Sequence, residues 1–150
     1  MNEKSVGGIV FRKEEKRILY LLLLYERKND EKGEHSYWDF PKGHIEKGES
    51  EEETLRREVK EETSISDARI IDGFREKINY FFRKNGKLVR KEVVFYLCET
   101  MQKRAKVSSE HKDARWLDYK EAMKILAFEN AKEILGKANK FLSKKTLKNF

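Results

Sequence analysis

The sequence predicts a mixed α/β fold on three observations. Several short apolar runs are rich in β-branched and aromatic residues, a stretch of good helix formers near residue 50 carries a capping signature, and amphipathic spacing recurs toward the C-terminus. Residues 6–11 and 18–25 are joined by the charged segment Arg12 to Arg17, which reads as a hairpin whose continuously apolar strands need cover on both faces. The polar gap at 26–36 reads as a loop. Residues 37–44 are punctuated by Pro41 and Gly43 and precede Ser50, which with Glu53 fits a capping box and opens a helix expected over residues 51–63. Further strands are expected at 70–71, 74–82 and 93–98, with Asn85-Gly86 as the turn of a hairpin. Trp116-Leu117 precedes two amphipathic helices, one carrying Ala122, Ile125 and Leu126, the other Ile134, Leu135, Ala138, Phe141 and Leu142.

Composition narrows the function classes. The chain has 150 residues, a net charge of +7, 41% charged and 11% aromatic residues. It is expected to form one domain over residues 1–150, with enough apolar residues for one core and too many aromatics for a disordered polyelectrolyte. The single cysteine, Cys98, excludes an intrachain disulfide and with it a disulfide-stapled secreted scaffold. The eight-residue apolar run at 18–25 is far short of the roughly 20 residues that span a bilayer, so a cytoplasmic protein with no membrane partner is expected. Charge is uneven. Residues 46–62 hold eight glutamates against four basic side chains, an acidic island in a basic protein, whereas residues 136–150 hold five lysines and no acid, a run read chiefly as a solvated helix face.

Glu58, Glu61 and Glu62 stand at i, i+3 and i+4, so on a helix their side chains emerge on one face about 5–6 Å apart. Like charges so crowded destabilise a helix and raise carboxylate pKa values unless a cation intervenes. All-oxygen donors favour Mg2+ or Mn2+, ions that commonly join carboxylates to substrate phosphates. The plain alternative is an exposed Glu-rich helix balanced by Arg56, Arg57 and Lys60.

The longer pattern favours the metal. Gly43, five residues, Glu49, seven residues and then Arg57-Glu58-Val59-Lys60-Glu61-Glu62-Thr63-Ser64-Ile65 resembles the Nudix box, G-x5-E-x7-R-E-U-x-E-E-x-G-U with U aliphatic. The one departure is Ser64 in place of glycine. The resemblance implies the Nudix fold, a mixed β-sheet sandwiched between α-helices, and hydrolysis of a nucleoside diphosphate linked to another group. It implies Glu58, Glu61 and Glu62 as metal ligands, joined by the carbonyl of Lys42 or Gly43, with Glu49 paired to Arg57. Flanking segments are similar to the asymmetrical diadenosine tetraphosphate hydrolases: residues 38–44, Ser109-Glu110-His111 with Arg115-Trp116-Leu117, Phe128 with Lys132, and Asn79-Tyr80 with Lys91. This similarity implies cleavage of diadenosine tetraphosphate by water to ATP and AMP.

On that reading Lys42, His44, Lys87 and Lys91 are expected to hold the polyphosphate, and Tyr80 and Phe128 to stack on adenine. Glu110 is the further candidate for metal ligand or general base, in a loop-like segment just before a strand. His35 is read chiefly as a solvated loop histidine, and Trp38, Phe40 and Trp116 as core or rim residues. Two rivals stand beside this reading: removal of pyrophosphate from the 5′ end of RNA, which the basic charge favours electrostatically, and a nucleotide-binding module without turnover. The sequence leaves monomer against homodimer open.

Overall fold

A computed structural model of the chain describes residues 2–27, 35–105 and 111–148. Its elements run β1 (Asn2–Glu14), β2 (Arg17–Arg27), β3 (His35–Asp39), β4 (Lys42–His44), α1 (Glu51–Thr63), β5 (Arg69–Lys84), β6 (Lys87–Glu99), β7 (His111–Leu117), α2 (Tyr119–Ile125) and α3 (Glu129–Lys148). The described strands form one sheet in the order β3-β2-β1-β6-β5, with β4 also on β1 and β7 also on β2. β1 and β6 run parallel over Asn2 to Phe11, and the other pairs are antiparallel, so the sheet is mixed.

Alternation along β1 sends side chains to two different cores, as the period of two requires. Ile9 and Phe11 join Val93, Phe95 and Leu97 of β6 beneath α2 and α3, which contribute Ala122, Ile134, Leu135 and Ala138. Val6 and Val10 join Leu21 and Cys98 beneath Leu55 and Val59 of α1. Both faces are therefore covered by helices, which accounts for the unbroken apolar runs. Gly8 lets α1 sit close: a Cβ there would lie 2.9 Å from Leu55 Cδ1. No helix among the described residues is long and apolar enough to cross a membrane.

The helix expected over 51–63 has those bounds, and both halves of its capping box form: Ser50 Oγ accepts from the Glu53 amide at 3.1 Å and Glu53 Oε1 from the Ser50 amide at 3.3 Å. Asn85 and Gly86 both have positive φ, 52° and 75°, as a two-residue hairpin turn of the favoured twist demands. The expected strands at 70–71 and 74–82 prove to be one strand, β5, whose pairing with β6 slips between Ile70 and Arg75. Gly73, with φ of 93°, sits in that irregularity and bends the strand without ending it.

Pairing of β4 with β1 is what fixes the site. Ser5 lies opposite His44, Val6 opposite Gly43 and Gly7 opposite Lys42, and the Gly8 amide donates to the Pro41 carbonyl at 2.9 Å. The segment just before α1 is thereby held against the middle of the sheet.

Ser64 closes α1 in the left-handed region, φ 64° and ψ 12°, with its amide donating to the Lys60 carbonyl. A serine pays about 1 kcal/mol there that glycine does not. Ser64→Gly is expected to raise the free energy of unfolding by about 1 kcal/mol, measured by urea denaturation. A midpoint that stays put or falls shows that the serine cap is unstrained.

Candidate active site

Arg57, on α1, organises the acidic island. Its Nε and Nη2 donate to the two oxygens of Glu49 at 2.7 and 2.9 Å, a bidentate pair, while Nη1 donates to Glu58 Oε1 at 2.7 Å and Glu61 Oε2 at 3.3 Å. Nη2 also donates to the His44 carbonyl at 3.1 Å, so one guanidinium ties the loop after β4 to the helix. Glu49 accepts further bonds from the Thr54 hydroxyl at 2.9 Å and the Glu46 amide at 3.0 Å. These donors, Arg57 above all, hold the Glu49 carboxyl down at about 2. Glu58 goes the other way: burial raises its pKa, Arg57 works against the rise, and the neighbouring charges of Glu62 and Glu61 add to it.

Gly43 explains why the motif needs glycine. A Cβ there would lie 2.0 Å from the Glu58 carboxyl carbon, so the backbone of β4 touches the carboxylate directly. Glu62 is nearly buried and accepts from the Lys42 amide at 3.2 Å, with the Tyr25 hydroxyl 3.5 Å away. Tyr25 itself donates to the Phe40 carbonyl at 2.9 Å.

The three glutamates thus share one helical face and feel one another. As they stand, Arg57 binds two of them and the Lys42 amide the third, and among the described residues no three acidic, histidine or cysteine side chains close round a common point. The donor set nevertheless suits a hard divalent ion. It is all carboxylate, one member is raised in pKa by burial first and then by like charge, and the Gly43 backbone is pressed against that member with no side chain between them.

On the face of the sheet away from this helix lies a cavity of about 410 Å³ whose walls include Tyr37, Asp39, Lys42, Tyr80, Phe128 and Asn130. Tyr37 packs edge-on to Phe128, ring centroids 5.3 Å apart, and stacks on Tyr25 at 5.4 Å. Lys42 joins helix and cavity: its amide is on Glu62, while its ammonium enters the cavity and donates to Asp39 Oδ2 at 3.0 Å. Asp39 and the phenols of Tyr80 and Tyr37 hold the Lys42 pKa up against the opposing effect of burial.

Lys91 is paired with Tyr80 across β5 and β6 and is buried to 9% exposure, with Glu3 3.7 Å from its ammonium. Burial lowers its pKa, and the cations of Lys42 and Lys84 contribute. His44 stands near it, its pKa lowered first by burial and then by Lys91. The structure therefore brings Glu49, Arg57, Glu58, Glu61 and Glu62 into one cluster, Lys42, Tyr80 and Phe128 into one cavity, and His44 and Lys91 close by. Lys87 is exposed at the hairpin tip and does not line the cavity, whereas Lys84, its partner in register, reaches Glu3 at 3.2 Å. Glu110 lies outside the described residues, as does the side chain of His35, although the expected strand after Glu110 is present as β7. Phe40 is fully buried, and Trp38 and Trp116 pack against the two cores, as expected of core and rim residues. The sequence reading overlooked Asp39, Tyr37 and Tyr25. Asp39 and Lys42 are three residues apart but not on a helix, so no periodicity advertises their meeting.

The profile of the NUDIX domain matches residues 1–137. The chain belongs to the Nudix family. Among curated relatives, the asymmetrical bis(5'-nucleosyl)-tetraphosphatase of Mus musculus is 37% identical over 110 residues, covering 71% of this chain and 72% of its own. An RNA pyrophosphohydrolase of Nitratiruptor sp. is 36% identical over 89 residues, 55% of this chain and 56% of its own. Among solved structures, a binary complex of the Caenorhabditis elegans Ap4A hydrolase aligns over 94% of this chain and 98% of its own, with TM-score 0.73 and 26% identity. This Nudix protein is accordingly a hydrolase of phosphoanhydride bonds in nucleotide and nucleoside-diphosphate-linked substrates, and metal dependence comes with the family.

The Glu49–Arg57 clasp makes a pH-dependent contribution to stability. The folded Glu49 carboxyl titrates at about 2 against 4.5 when free, so the clasp contributes fully above about pH 4.5 and is lost as pH falls toward 2. The melting temperature of Glu49→Gln is expected to lie below that of the wild type at neutral pH, with the gap closing through that acid window. A gap independent of pH shows that the Glu49 charge contributes nothing to holding the loop.

Proposed function

We propose that the protein hydrolyses dinucleoside polyphosphates, splitting diadenosine tetraphosphate to ATP and AMP by attack of water on phosphorus. The observation that carries this reading is the junction at Lys42. One residue has its backbone on the carboxylate helix and its side chain in an aromatic-walled cavity, so a nucleobase in the cavity would present its phosphates to the helix. The similarity of the chain to asymmetrical tetraphosphatases over about seven tenths of both sequences supports the same substrate.

Each residue then has a role. Glu58, Glu61 and Glu62, with Glu110 and the carbonyl of Lys42 or Gly43, would hold Mg2+ or Mn2+. Such ions, when bound, neutralise developing charge on phosphoryl oxygens and lower the pKa of water. Arg57 and Glu49 hold the loop and orient Glu58 and Glu61. His44 and Lys91 supply positive charge on the face shared with Tyr80. Lys87, on the same strand face farther out, is left for the distal phosphates. Tyr80 and Phe128 stack on adenine, a contact worth about 1–3 kcal/mol per base.

Removal of pyrophosphate from RNA 5′ ends is the second reading, favoured by the net charge of +7 and by the relatives named for that activity. Assays at equal enzyme with diadenosine tetraphosphate and with 5′-triphosphate RNA separate the two. ATP and AMP formed from the first, faster than pyrophosphate is released from the second, is the expected result, and a preference for RNA reverses the assignment. No product from either, with Mg2+ or Mn2+ supplied, points to a binding module.

Glu62→Gln is expected to lower kcat by about two orders of magnitude or more. Its melting temperature should change little, because the amide oxygen can still accept from the Lys42 backbone. A near-normal rate removes Glu62 from the metal site. Phe128→Ala is expected to raise KM about tenfold while leaving kcat within a fewfold. An unchanged KM with a lowered melting temperature makes Phe128 a packing residue only.

A further inference from the structure

The aromatic walls of the cavity do not distinguish one base from another, since every base offers a π-face to Tyr80 and Phe128. Discrimination has to come from polar groups that meet the edge of the ring, and Asp39 and Lys42 provide them in one ion pair. Asp39 ends β3, is 3% exposed and lines the cavity. Its Oδ1 accepts from the Phe40 amide at 2.8 Å and its Oδ2 from the Lys42 ammonium at 3.0 Å. Those bonds leave both groups spare capacity, because a carboxylate oxygen accepts two hydrogen bonds and an ammonium donates three. The cavity is therefore offered an acceptor and a donor side by side.

We propose that the Asp39–Lys42 pair selects adenine over guanine, Asp39 accepting from the exocyclic N6 amino group and Lys42 donating to the neighbouring ring nitrogen. Adenine carries that donor beside that acceptor, whereas guanine turns O6 and N7, both acceptors, along the corresponding edge and would set O6 against the carboxylate. Guanine's other edge, N1–H with the N2 amino group, suits a carboxylate that presents both oxygens in a fork. Here the carboxylate stands beside an ammonium, so with one N–H of that edge on Asp39 the other would meet the Lys42 ammonium, donor against donor. An amino group left unpaired in the cavity would cost guanine the desolvation of a polar group without return.

The inference rests on the cavity being the nucleobase site of the proposed function, and its test is kept separate from hydrolysis. Equilibrium dissociation constants of ATP, GTP and N6,N6-dimethyl-ATP for the wild-type protein, measured by calorimetry, are expected to show ATP bound at least about tenfold more tightly than either of the others. Asp39→Asn should bring ATP and GTP to within about threefold of each other. The wild-type comparison stands even if that variant folds poorly. Equal binding of ATP and the dimethyl analogue, a preference for GTP, failure of ATP to bind, or a folded Asp39→Asn protein that keeps the wild-type preference overturns the assignment. Hydrolysis of diadenosine and diguanosine tetraphosphates at equal rates, with no base preference in binding, leaves the proposed reaction intact and removes only the base reading. Hydrolysis of neither removes the reaction and leaves the binding comparison to decide the base.

Discussion

Three carboxylates on neighbouring turns of one short helix repel one another, and the rest of the site is arranged around that repulsion. Arg57 meets it from the same helix, with hydrogen bonds to Glu49, Glu58 and Glu61 and Glu46 at 3.7 Å. The guanidinium is suited to this because its planar fork serves several acceptors at once and stays charged in any folded environment. Raised pKa at Glu58 and depressed pKa at Glu49 are two sides of this arrangement. Glu58 has burial and two like charges against one cation, whereas Glu49 has that cation bidentate and two further donors.

The sheet supplies what the helix cannot. Its two covered faces give the molecule two cores, and β4 lies against β1 so that the backbone from Pro41 to His44 passes directly under Glu58 and Glu62. Acid chemistry on one side and an aromatic cavity on the other are then separated by the thickness of one strand, with Lys42 belonging to both. Stability and function draw on the same contacts: the bonds of Arg57 that tie loop to helix also set which carboxylates are free to meet a cation.

Elements with strong local signals were legible in the sequence. The capping box placed α1 and Asn85-Gly86 placed the hairpin turn, because each depends on residues close along the chain, while the Glu49–Arg57 clasp was implied by the resemblance to the Nudix box. Less was legible where separate segments meet. The bend at Gly73 divided one strand into two in the sequence reading, since an irregularity in pairing looks locally like a turn. The sequence reading chose Lys87, whereas it is Lys84, opposite it in register, that reaches Glu3 on another strand. Asp39 was invisible as a cavity residue because a lone acid between two aromatic residues has many ordinary uses.

By itself the sequence determined that the chain is α/β, that it carries a crowded acidic helix matching the Nudix box, and that glycine stands at 43. All of these follow from spacing along the chain, where backbone geometry alone fixes which side chains are neighbours. Only the tertiary structure decided which cation answers which carboxylate, that Lys42 spans the helix and the cavity, and that Asp39 shares that cavity with Tyr80 and Phe128. Those relations join residues as far apart as Asp39 and Phe128, and the distance between them is set by strand order and helix packing, which no local pattern encodes.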